Sequence, residues 1–497
     1  MKALLVYPSY PDTFWSFRSI LPFVSRKAAF PPLGLLTVAA LLPAEWDKRL
    51  VDANVASLED ADLEWADVVL VSAMLVQSPS AKSIMRRAKH AGKIVVAGGP
   101  AFRGHLEHFP DADHFIIGES EVVMPAFLQD FTRGVAKREY GSSEHPNLKS
   151  TPLPAWGLLK MRDYVSMALQ YSRGCPFDCE FCDIVVMNGR RPRVKRPEQM
   201  IQEFQSLYDA GWRDSVFIVD DNFIGNIVQV KEFLPVLAEW QKRHNYPFKL
   251  MTEASVNLAL DEELMEMMSA ANFHKVFIGI ETPSTQSLVE CGKKQNVRTD
   301  FSVAVREIHQ HGMQVMGGFI VGFDNDTPSI FDQQFKFIQE IGVVTAMVGV
   351  LNALPHTRLW NRLKSEGRLF DGLSGENTDA CINFNPIMGC DVLLEGYKKL
   401  LGVLYSPKKY YDRISMFLSS YNPTSRGRIV RTDVQAFLKS MWAVGIVSSA
   451  RIHYWKLILK TVVTKPKALS AVVELAILGL HFERVSRRVM NSTFSRL

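Results

Sequence analysis

The chain has 497 residues, 47% of them apolar and 22% charged, with a formal net charge of +5. These are ordinary globular proportions, and the length allows two to four domains. Six cysteines, three of them in one short cluster, exclude a disulfide framework and fit a reducing compartment.

The N-terminus, Met1-Lys-Ala-Leu-Leu-Val-Tyr-Pro8, has too short an apolar core for a signal peptide and reads as a first strand. No run of about 18 apolar residues marks a spanning helix. The nearest, Ala468 to Phe482, is short and carries Glu474. The expected location is the cytoplasm. Charge is uneven along the chain: Thr424 to Leu497 holds 13 Lys and Arg against 3 Asp and Glu, so the remainder is acidic.

Over residues 1–140 short apolar runs alternate with helical stretches. Strands are predicted at Lys2–Tyr7, Arg49–Val51, Asp67–Ser72, Lys93–Ala97 and His114–Ile117, with helices at Pro32–Leu42 and Ser80–Ala91. Such alternation predicts an α/β, Rossmann-like, doubly wound parallel sheet. Ligands bind such sheets at the carboxyl ends of the strands. Those ends carry Asp52 and Asn54, then Ser72, Met74 and Gln77, then Gly98, Gly99 and Pro100, then Gly118 and Glu119. Glycines there allow close approach of a ligand to the backbone, although each also suits a simple turn. Gly-x-Gly-x-x-Gly is absent, so a nicotinamide cofactor is not expected.

Residues 141–165 read as a linker. The polar, proline-containing stretch from Glu139 to Pro154 marks a domain boundary. Residues 166–361 repeat the strand–helix rhythm, with strands predicted at Met167–Tyr171, Ser215–Val219, Lys249–Thr252, Lys275–Ile280, Gln314–Gly322 and Ala346–Leu351. Six parallel strands with outer helices predict a partial βα (TIM-type) barrel, whose active site sits at the carboxyl-terminal mouth. Asp221 and Asn222, Glu253 and Ser255, Glu281, and Gly322 fall at these strand ends. Any one of the carboxylates could be a helix cap. The run Arg190 to Arg196 reads as solvated surface. Residues 362–497 read as an α-helical region with a basic, amphipathic tail that could lie on an anionic membrane. No nucleic-acid module accompanies the charge, so no nucleic acid is expected.

The first predicted strand of this second region runs into Arg173-Gly-Cys-Pro-Phe-Asp-Cys-Glu-Phe-Cys-Asp183. It places Cys175, Cys179 and Cys182 in C-x3-C-x2-C spacing. Soft thiolates select zinc or an iron–sulfur cluster. A structural zinc site needs four ligands, and Cys291, Cys381 and Cys390 are too scattered to supply a second pair. A 4Fe–4S cluster on three cysteines leaves one iron open.

C-x3-C-x-aromatic-C, with Phe181 in the aromatic slot, resembles the signature of the radical S-adenosylmethionine (SAM) enzymes. The resemblance implies a 4Fe–4S cluster on the three cysteines that cleaves SAM to a 5′-deoxyadenosyl radical, with a reductant such as a ferredoxin or flavodoxin. It further implies SAM contacts from Phe181, Asp221, Asn222, Glu253, Ser255, Gly279, Glu281 and Gly322. The N-terminal layout, with Val6-Tyr-Pro, Pro31-Pro-Leu-Gly-Leu, Val51-Asp-x-Asn, Gly98-Gly-Pro and Gly118-Glu, is similar to the cobalamin-binding domains that precede many radical SAM methylases. The strand-end residues named above would then contact cobalamin, with Ser72 to Gln77 over its lower face. The Asp-x-His-x-x-Gly motif is missing, which implies cobalamin without a protein imidazole on cobalt.

Phe14-Trp-Ser-Phe17, Phe30-Pro-Pro-Leu-Gly34, Cys182-Asp-Ile184, Val219-Asp-Asp-Asn-Phe-Ile-Gly-Asn226 and Thr252-Glu-Ala-Ser-Val256 extend the likeness to a subgroup that includes the hopanoid A-ring methylases. The expected activity is cobalamin-dependent methylation of an unactivated carbon in a hydrophobic, hopanoid-like lipid. Ring formation, C–C bond formation or oxidation without methyl transfer, and a non-catalytic cobalamin or redox-sensing module, are the alternatives.

Overall fold

The computed structural model describes residues 1–497 other than 105, 371, 373, 377, 425, 427–430, 493, 494 and 497. Two compact units emerge. One comprises Met1–Asp12, Arg26–Leu169 and Arg193–Arg213; the other comprises Thr13–Ser25, Gln170–Pro192 and Asp214–Leu497. This division differs from the sequence boundaries. Residues 13–25 leave the first region, Arg193–Arg213 joins it, and the C-terminal helices share a unit with the central strands.

The first unit is built on six parallel strands: β1 (Lys2–Tyr7), β2 (Asp47–Asp52), β3 (Val68–Ser72), β4 (Ile94–Gly98), β5 (His114–Ile117) and β6 (Glu139–Gly141), in the order β2-β1-β3-β4-β5-β6. Side chains alternate across a sheet, so each apolar run feeds two cores. Leu4, Val6, Val69, Val71, Val95, Ala97 and Phe115 pack on one face. Ala3, Leu5, Val68, Leu70, Val96 and Ile116 pack on the other. Strand β6 falls at the start of the Glu139–Pro154 stretch read as a domain boundary, where no strand is predicted. Only Tyr140 of its three residues is buried, held by Asp130 Oδ2 at 2.8 Å, and one apolar residue is too little pattern to read.

The basic run is not merely solvated surface. Arg193 clamps Glu119 with two hydrogen bonds, Nη1 to Oε2 at 3.0 Å and Nη2 to Oε1 at 2.6 Å, and His145 joins at 2.9 Å. Lys195 and Glu203 form a buried pair at 2.5 Å.

The second unit carries β7 (Ser215–Ile218), β8 (Lys249–Ala254), β9 (Phe273–Glu281), β10 (Gln314–Val321) and β11 (Ala346–Val350), each parallel to the next. Helices Ile227–Arg243, Glu262–Ala270, Phe301–Gln310 and Ile330–Ile341 connect them. All five carboxyl ends therefore point to one mouth. The C-terminal region supplies helices Cys390–Leu404, Pro407–Ser420, Arg431–Trp442, Arg451–Thr464 and Leu469–Asn491. Segment 13–25 is fastened by aromatics: Phe14 stacks on Phe482 with centroids 4.4 Å apart, and Trp15 meets Phe277 edge-on at 5.5 Å. His481 holds the carbonyl of Phe14 at 2.9 Å and the Ser19 hydroxyl at 2.7 Å. Phe14-Trp-Ser-Phe17 thus has a packing role within this unit.

Arg193→Ala strands a nearly buried carboxylate and is expected to destabilise the first unit by about 3 kcal/mol in chemical denaturation. Replacing both partners, Glu119→Leu with Arg193→Met, is expected to recover most of that loss.

Candidate active site

The cysteine loop is positioned by one buried carboxylate. Asp220, at the end of β7, accepts hydrogen bonds from Tyr171 N (2.7 Å), Ser172 N (2.8 Å) and Ser172 Oγ (2.7 Å). The next residue continues the clamp: Asp221 Oδ2 accepts from Gly174 N at 2.8 Å and Asn188 Nδ2 at 2.9 Å. Gly174, just before the first cysteine, has φ +96°, and a Cβ there would lie 2.9 Å from the carbonyl oxygen of Gly189. Only glycine fits that turn.

Cys175, Cys179 and Cys182 are free and half-buried. Burial pushes all three thiols up, Cys182 to about 12, while the Lys293 ammonium pulls each of them down. Side-chain amides stand beside two sulfurs: Asn222 Nδ2 is 3.9 Å from Cys175 and Gln295 Nε2 is 3.9 Å from Cys179. Desolvated sulfurs facing a cation and amide donors suit an iron–sulfur cluster, whose charge such groups stabilise. Among the described residues no three His, Cys, Asp or Glu side chains converge as a single-ion site. Phe181 lies between the second and third cysteines, its ring 6.2 Å from that of Phe323 and 6.0 Å from Lys293 Nζ.

Lys293 is paired with Glu281, both nearly buried. Glu281 ends β9 with φ +70°, a strained conformation for a residue with a side chain. Gly279 makes room for the pair, since a Cβ there would fall against both the Glu281 carboxylate and the Lys293 ammonium. Its value here is space within the protein. Lys293, in a Gly-Lys-Lys turn, and Gln295 carry no strong sequence signal; Asp220 falls in the Val219–Asn226 stretch, but its hold on the cysteine loop is set by the fold.

Opposite in character is the Asp220, Asp221 and Glu253 group. Burial, then the neighbouring carboxylates, pushes Glu253 to about 8. Burial also raises Asp220, to about 7, although its hydrogen bonds pull the other way. No cation pairs with Glu253 among the described residues. Asn222 links the two groups, accepting from Ser255 N at 3.2 Å while facing Cys175. Gly322, φ +108°, turns its N–H to Asp326 Oδ2 at 2.9 Å; a Cβ there would meet Leu393.

A second network locks the loop from its far side. Glu180 accepts from Arg362 Nε at 2.8 Å, and its backbone N–H donates to the Cys291 carbonyl at 2.8 Å. Arg362 and Arg368 both hold Asp324 beyond the end of β10, at 2.7 and 2.6 Å.

In the first unit, strand order reverses between β1 and β3, so the crevice of this sheet opens at their carboxyl ends. Tyr7, of the Val6-Tyr-Pro stretch, and Tyr10, which the sequence does not single out, share a hydroxyl–hydroxyl bond there. Tyr10 also donates to Met74 Sδ at 3.3 Å, and Met74 is the exposed group of the set. Gln77 is fully buried; its Oε1 accepts from Met74 N at 2.8 Å and its Nε2 donates to the Pro8 carbonyl. Asp52 is committed to Asn54 N (2.9 Å) and Tyr164 Oη (3.0 Å), and Asn54 donates to the Pro8 carbonyl. Gly99, φ +104°, would place a Cβ 2.9 Å from Ala73 O and Ser72 Oγ. Gly118, followed by the Glu119 clamp, is similarly close to Ser142 O at 3.0 Å, and Gly98 and Pro100 flank the β4 turn. The turns that directly follow β1, β2 and β3, residues 8–13, 53–59 and 73–77, contain no histidine. A crevice edged by thioether and hydroxyl groups, with no imidazole from these segments, fits a large cofactor bound without a nitrogen ligand from them.

Three family matches follow the same layout. Residues 22–128 match the B12 binding domain, residues 169–338 the Radical SAM superfamily and residues 357–493 a Domain of unknown function (DUF4070). The chain belongs to the cobalamin-binding radical SAM methyltransferases, enzymes whose cofactors are a 4Fe–4S cluster, SAM and cobalamin. It is 33% identical to the Hopanoid C-2 methylase of Rhodopseudomonas palustris, across 93% of this chain and 89% of that protein. An uncharacterized methyltransferase of Synechocystis sp. is 41% identical, across 92% and 86%. The fold is shared with the radical SAM methyltransferase TsrM from Kitasatospora setae, solved with cobalamin and a 4Fe–4S cluster. The TM-score is 0.64 at 14% identity, over 99% of this chain and 100% of that one.

Asp220 and Glu253 hold protons at higher pH in the folded chain, about 7 and 8, than the usual value near 4. The folded state therefore binds more protons than the unfolded state across that window, and their contribution falls as pH rises through it. Without SAM, the thermal midpoint is expected to drop between about pH 5 and 8, and Glu253→Gln is expected to flatten that slope.

Proposed function

We propose that this enzyme methylates an unactivated carbon of a polycyclic, hopanoid-like lipid. The observation that carries the lipid reading is the apolar face of the central sheet. Residues in register in parallel strands share a face. Phe217 pairs with Met251, Glu253 with Phe277, Phe277 with Met316, and Gly318 with Met347. The face that carries Glu253 and Gly279 also carries Phe217, Met251, Phe277, Met316 and Met347, with Lys275, paired to Glu474, and Gln314 on its side away from the carboxyl ends. Phe217, Met251, Phe277 and Met347 are only half-buried. Deformable methionines beside flat aromatics suit a rigid hydrocarbon. The likeness to Hopanoid C-2 methylase over nearly the whole chain supports the same substrate class.

In this reading residues 1–140 hold cobalamin, residues 166–361 hold the cluster and SAM, and residues 362–497 form the helical region. Cys175, Cys179 and Cys182 hold the cluster. Glu253 and Asp221 attract the SAM ammonium, whose charge relieves their mutual repulsion. Asn222, Ser255, Gly279, Glu281, Phe181 and Gly322 shape the rest of that site, and Lys293 balances the charge on the sulfurs. The switch-point residues Ser72, Met74 and Tyr10 face cobalamin. Bound there, these cofactors would supply a carbon radical for hydrogen abstraction and a methyl group for transfer. The chain's own part is to orient them, balance charge and exclude water. A ferredoxin or flavodoxin serves as reductant, and a lipid substrate brings the enzyme to the membrane surface.

The test is anaerobic product analysis with reconstituted enzyme, cobalamin, reductant, methyl-labelled SAM and a hopanoid extract. Comparable amounts of 5′-deoxyadenosine and S-adenosylhomocysteine, with label in the lipid, are expected. Deoxyadenosine without S-adenosylhomocysteine would remove methylation and leave radical chemistry. Cys182→Ala is expected to abolish both products and the cluster's visible absorption. Lys293→Met removes a cation facing all three sulfurs, so the cluster's reduction potential, read by EPR titration, is expected to become more negative.

A further inference from the structure

The helices Arg431–Trp442 and Arg451–Thr464 form a hairpin through the π-type turn Ala443–Val447. Their inner faces are tied together: Ser440 Oγ meets Tyr454 Oη at 2.9 Å, and Trp455 Nε1 donates to the Gly445 carbonyl at 2.9 Å. Their outer faces have no cover among the described residues. On the first helix Val434, Leu438 and Trp442 recur every fourth residue, the spacing of one helical stripe, and Trp442 is 65% exposed. Ile446 and Val447 continue across the turn. On the second helix Ile452, Leu459 and Val463 are exposed, Val463 at 82%. Among the described residues most other exposed apolar side chains are scattered singly or in twos, such as Ile227 and Val228, as is normal; here they recur along two successive helices and their turn, which marks an interaction surface.

The charge around these side chains says what they meet. Residues 434–473 contain six Lys and Arg and no Asp or Glu. Two of the six are used internally: Lys439 donates to the Pro22 carbonyl at 2.7 Å, and Lys465 to the Leu418 and Tyr421 carbonyls at 2.6 and 3.1 Å. The remaining four, Arg451, Lys456, Lys460 and Lys467, are exposed. Lys456 and Lys460 stand on the same stripe as Ile452 and Val463, where long stems can follow apolar groups inward while the ammonium stays at the polar boundary. A second copy of the chain would bring this basic surface, whose one carboxylate is Asp433 in the first turn, against itself. No helix among the described residues is long and apolar enough to cross a membrane.

We propose that this hairpin, rather than the final helix, is the docking surface by which the enzyme lies on an anionic lipid bilayer. The final helix, Leu469–Asn491, is excluded because Val472, Leu475, Ala476, Phe482, Val485 and Val489 are buried in the core. Trp442, Ile446, Val447 and Val463 enter the acyl boundary, and the four cations meet lipid phosphates. The inference rests on the lipid-substrate reading for its purpose, but its test does not require turnover.

Full-length holoenzyme would be floated with vesicles of phosphatidylcholine alone, or of phosphatidylcholine with phosphatidylglycerol, both free of polycyclic lipid. Binding to the anionic vesicles, weakened by salt, is expected. Lys456→Gln with Lys460→Gln is expected to reduce it about thirtyfold, and Trp442→Ser with Val463→Ser to reduce it comparably, with unfolding midpoints unchanged. Absence of binding to either vesicle, or binding that these variants leave intact, would overturn the proposal. A dimer in sedimentation that Val463→Glu dissociates would overturn it in favour of a second copy. Failure of lipid methylation with vesicle binding intact would instead remove the substrate reading alone.

Discussion

The site depends on keeping Asp220 buried. Its carboxylate gathers three donors from the residues that lead into the cysteine loop, fixing where that loop leaves the strand. Hydrogen bonds to a charged acceptor are individually strong, yet burial still lifts Asp220 to about 7. The chain therefore accepts an electrostatic penalty to pin the loop. Asp221 and Asn222 extend the same strand end to Gly174, Asn188, Ser255 and the sulfur of Cys175, so one three-residue stretch indexes the sulfur group against the acidic group.

Charge is divided across the mouth in a consistent way. Glu253 has no cation paired with it among the described residues and is raised further by the carboxylates of Asp221 and Asp220, whereas the sulfur side has Lys293, already balanced by Glu281. A cluster held by three thiolates carries negative charge, so a paired lysine moderates it without leaving an uncompensated cation when the sulfurs are protonated. Glu281 reaches Lys293 only because β9 ends in a left-handed residue and because Gly279 has no side chain. The Gly-Ile-Glu sequence is therefore a geometric unit, in which the glycine serves the ion pair.

Much of this was legible in the sequence because it rests on strong local rules. Most of the strands β1 to β5 and β7 to β11 announce themselves by short apolar runs, the mark of strands covered on both faces, although β8 and the edge strand β2 carry charged residues. Cys175, Cys179 and Cys182 announce themselves by spacing. Other features are set by tertiary context. Nothing local distinguishes Lys293 from Lys294, or Arg193 from its basic neighbours; the difference is which strand end each meets. Gly99 and Gly118 illustrate the converse: read as openings for a ligand, they are also required by positive φ and by close approach of Ala73 and Ser142. Asp52, Asn54 and Gln77 sit at the expected strand ends, but their polar groups brace the β1 turn, leaving Met74 and Tyr10 nearer the crevice edge.

The tail shows why net charge is a poor guide to surface. Lys465 collects carbonyls at the end of helix Pro407–Ser420, where the helix leaves acceptors unsatisfied and favours a cation. Lys439 anchors segment 13–25, and Lys275 neutralises Glu474 on the final helix. These lysines belong to the architecture. What remains is a smaller set of cations flanking apolar side chains that the fold had the opportunity to bury and did not. Burying a side chain of this size is worth roughly 1.5–3 kcal/mol, and the neighbouring helix Leu469–Asn491 uses that gain fully. A hairpin that forgoes it over two successive helices, while excluding every carboxylate from residues 434–473, is arranged for an apolar phase with a negatively charged boundary rather than for water.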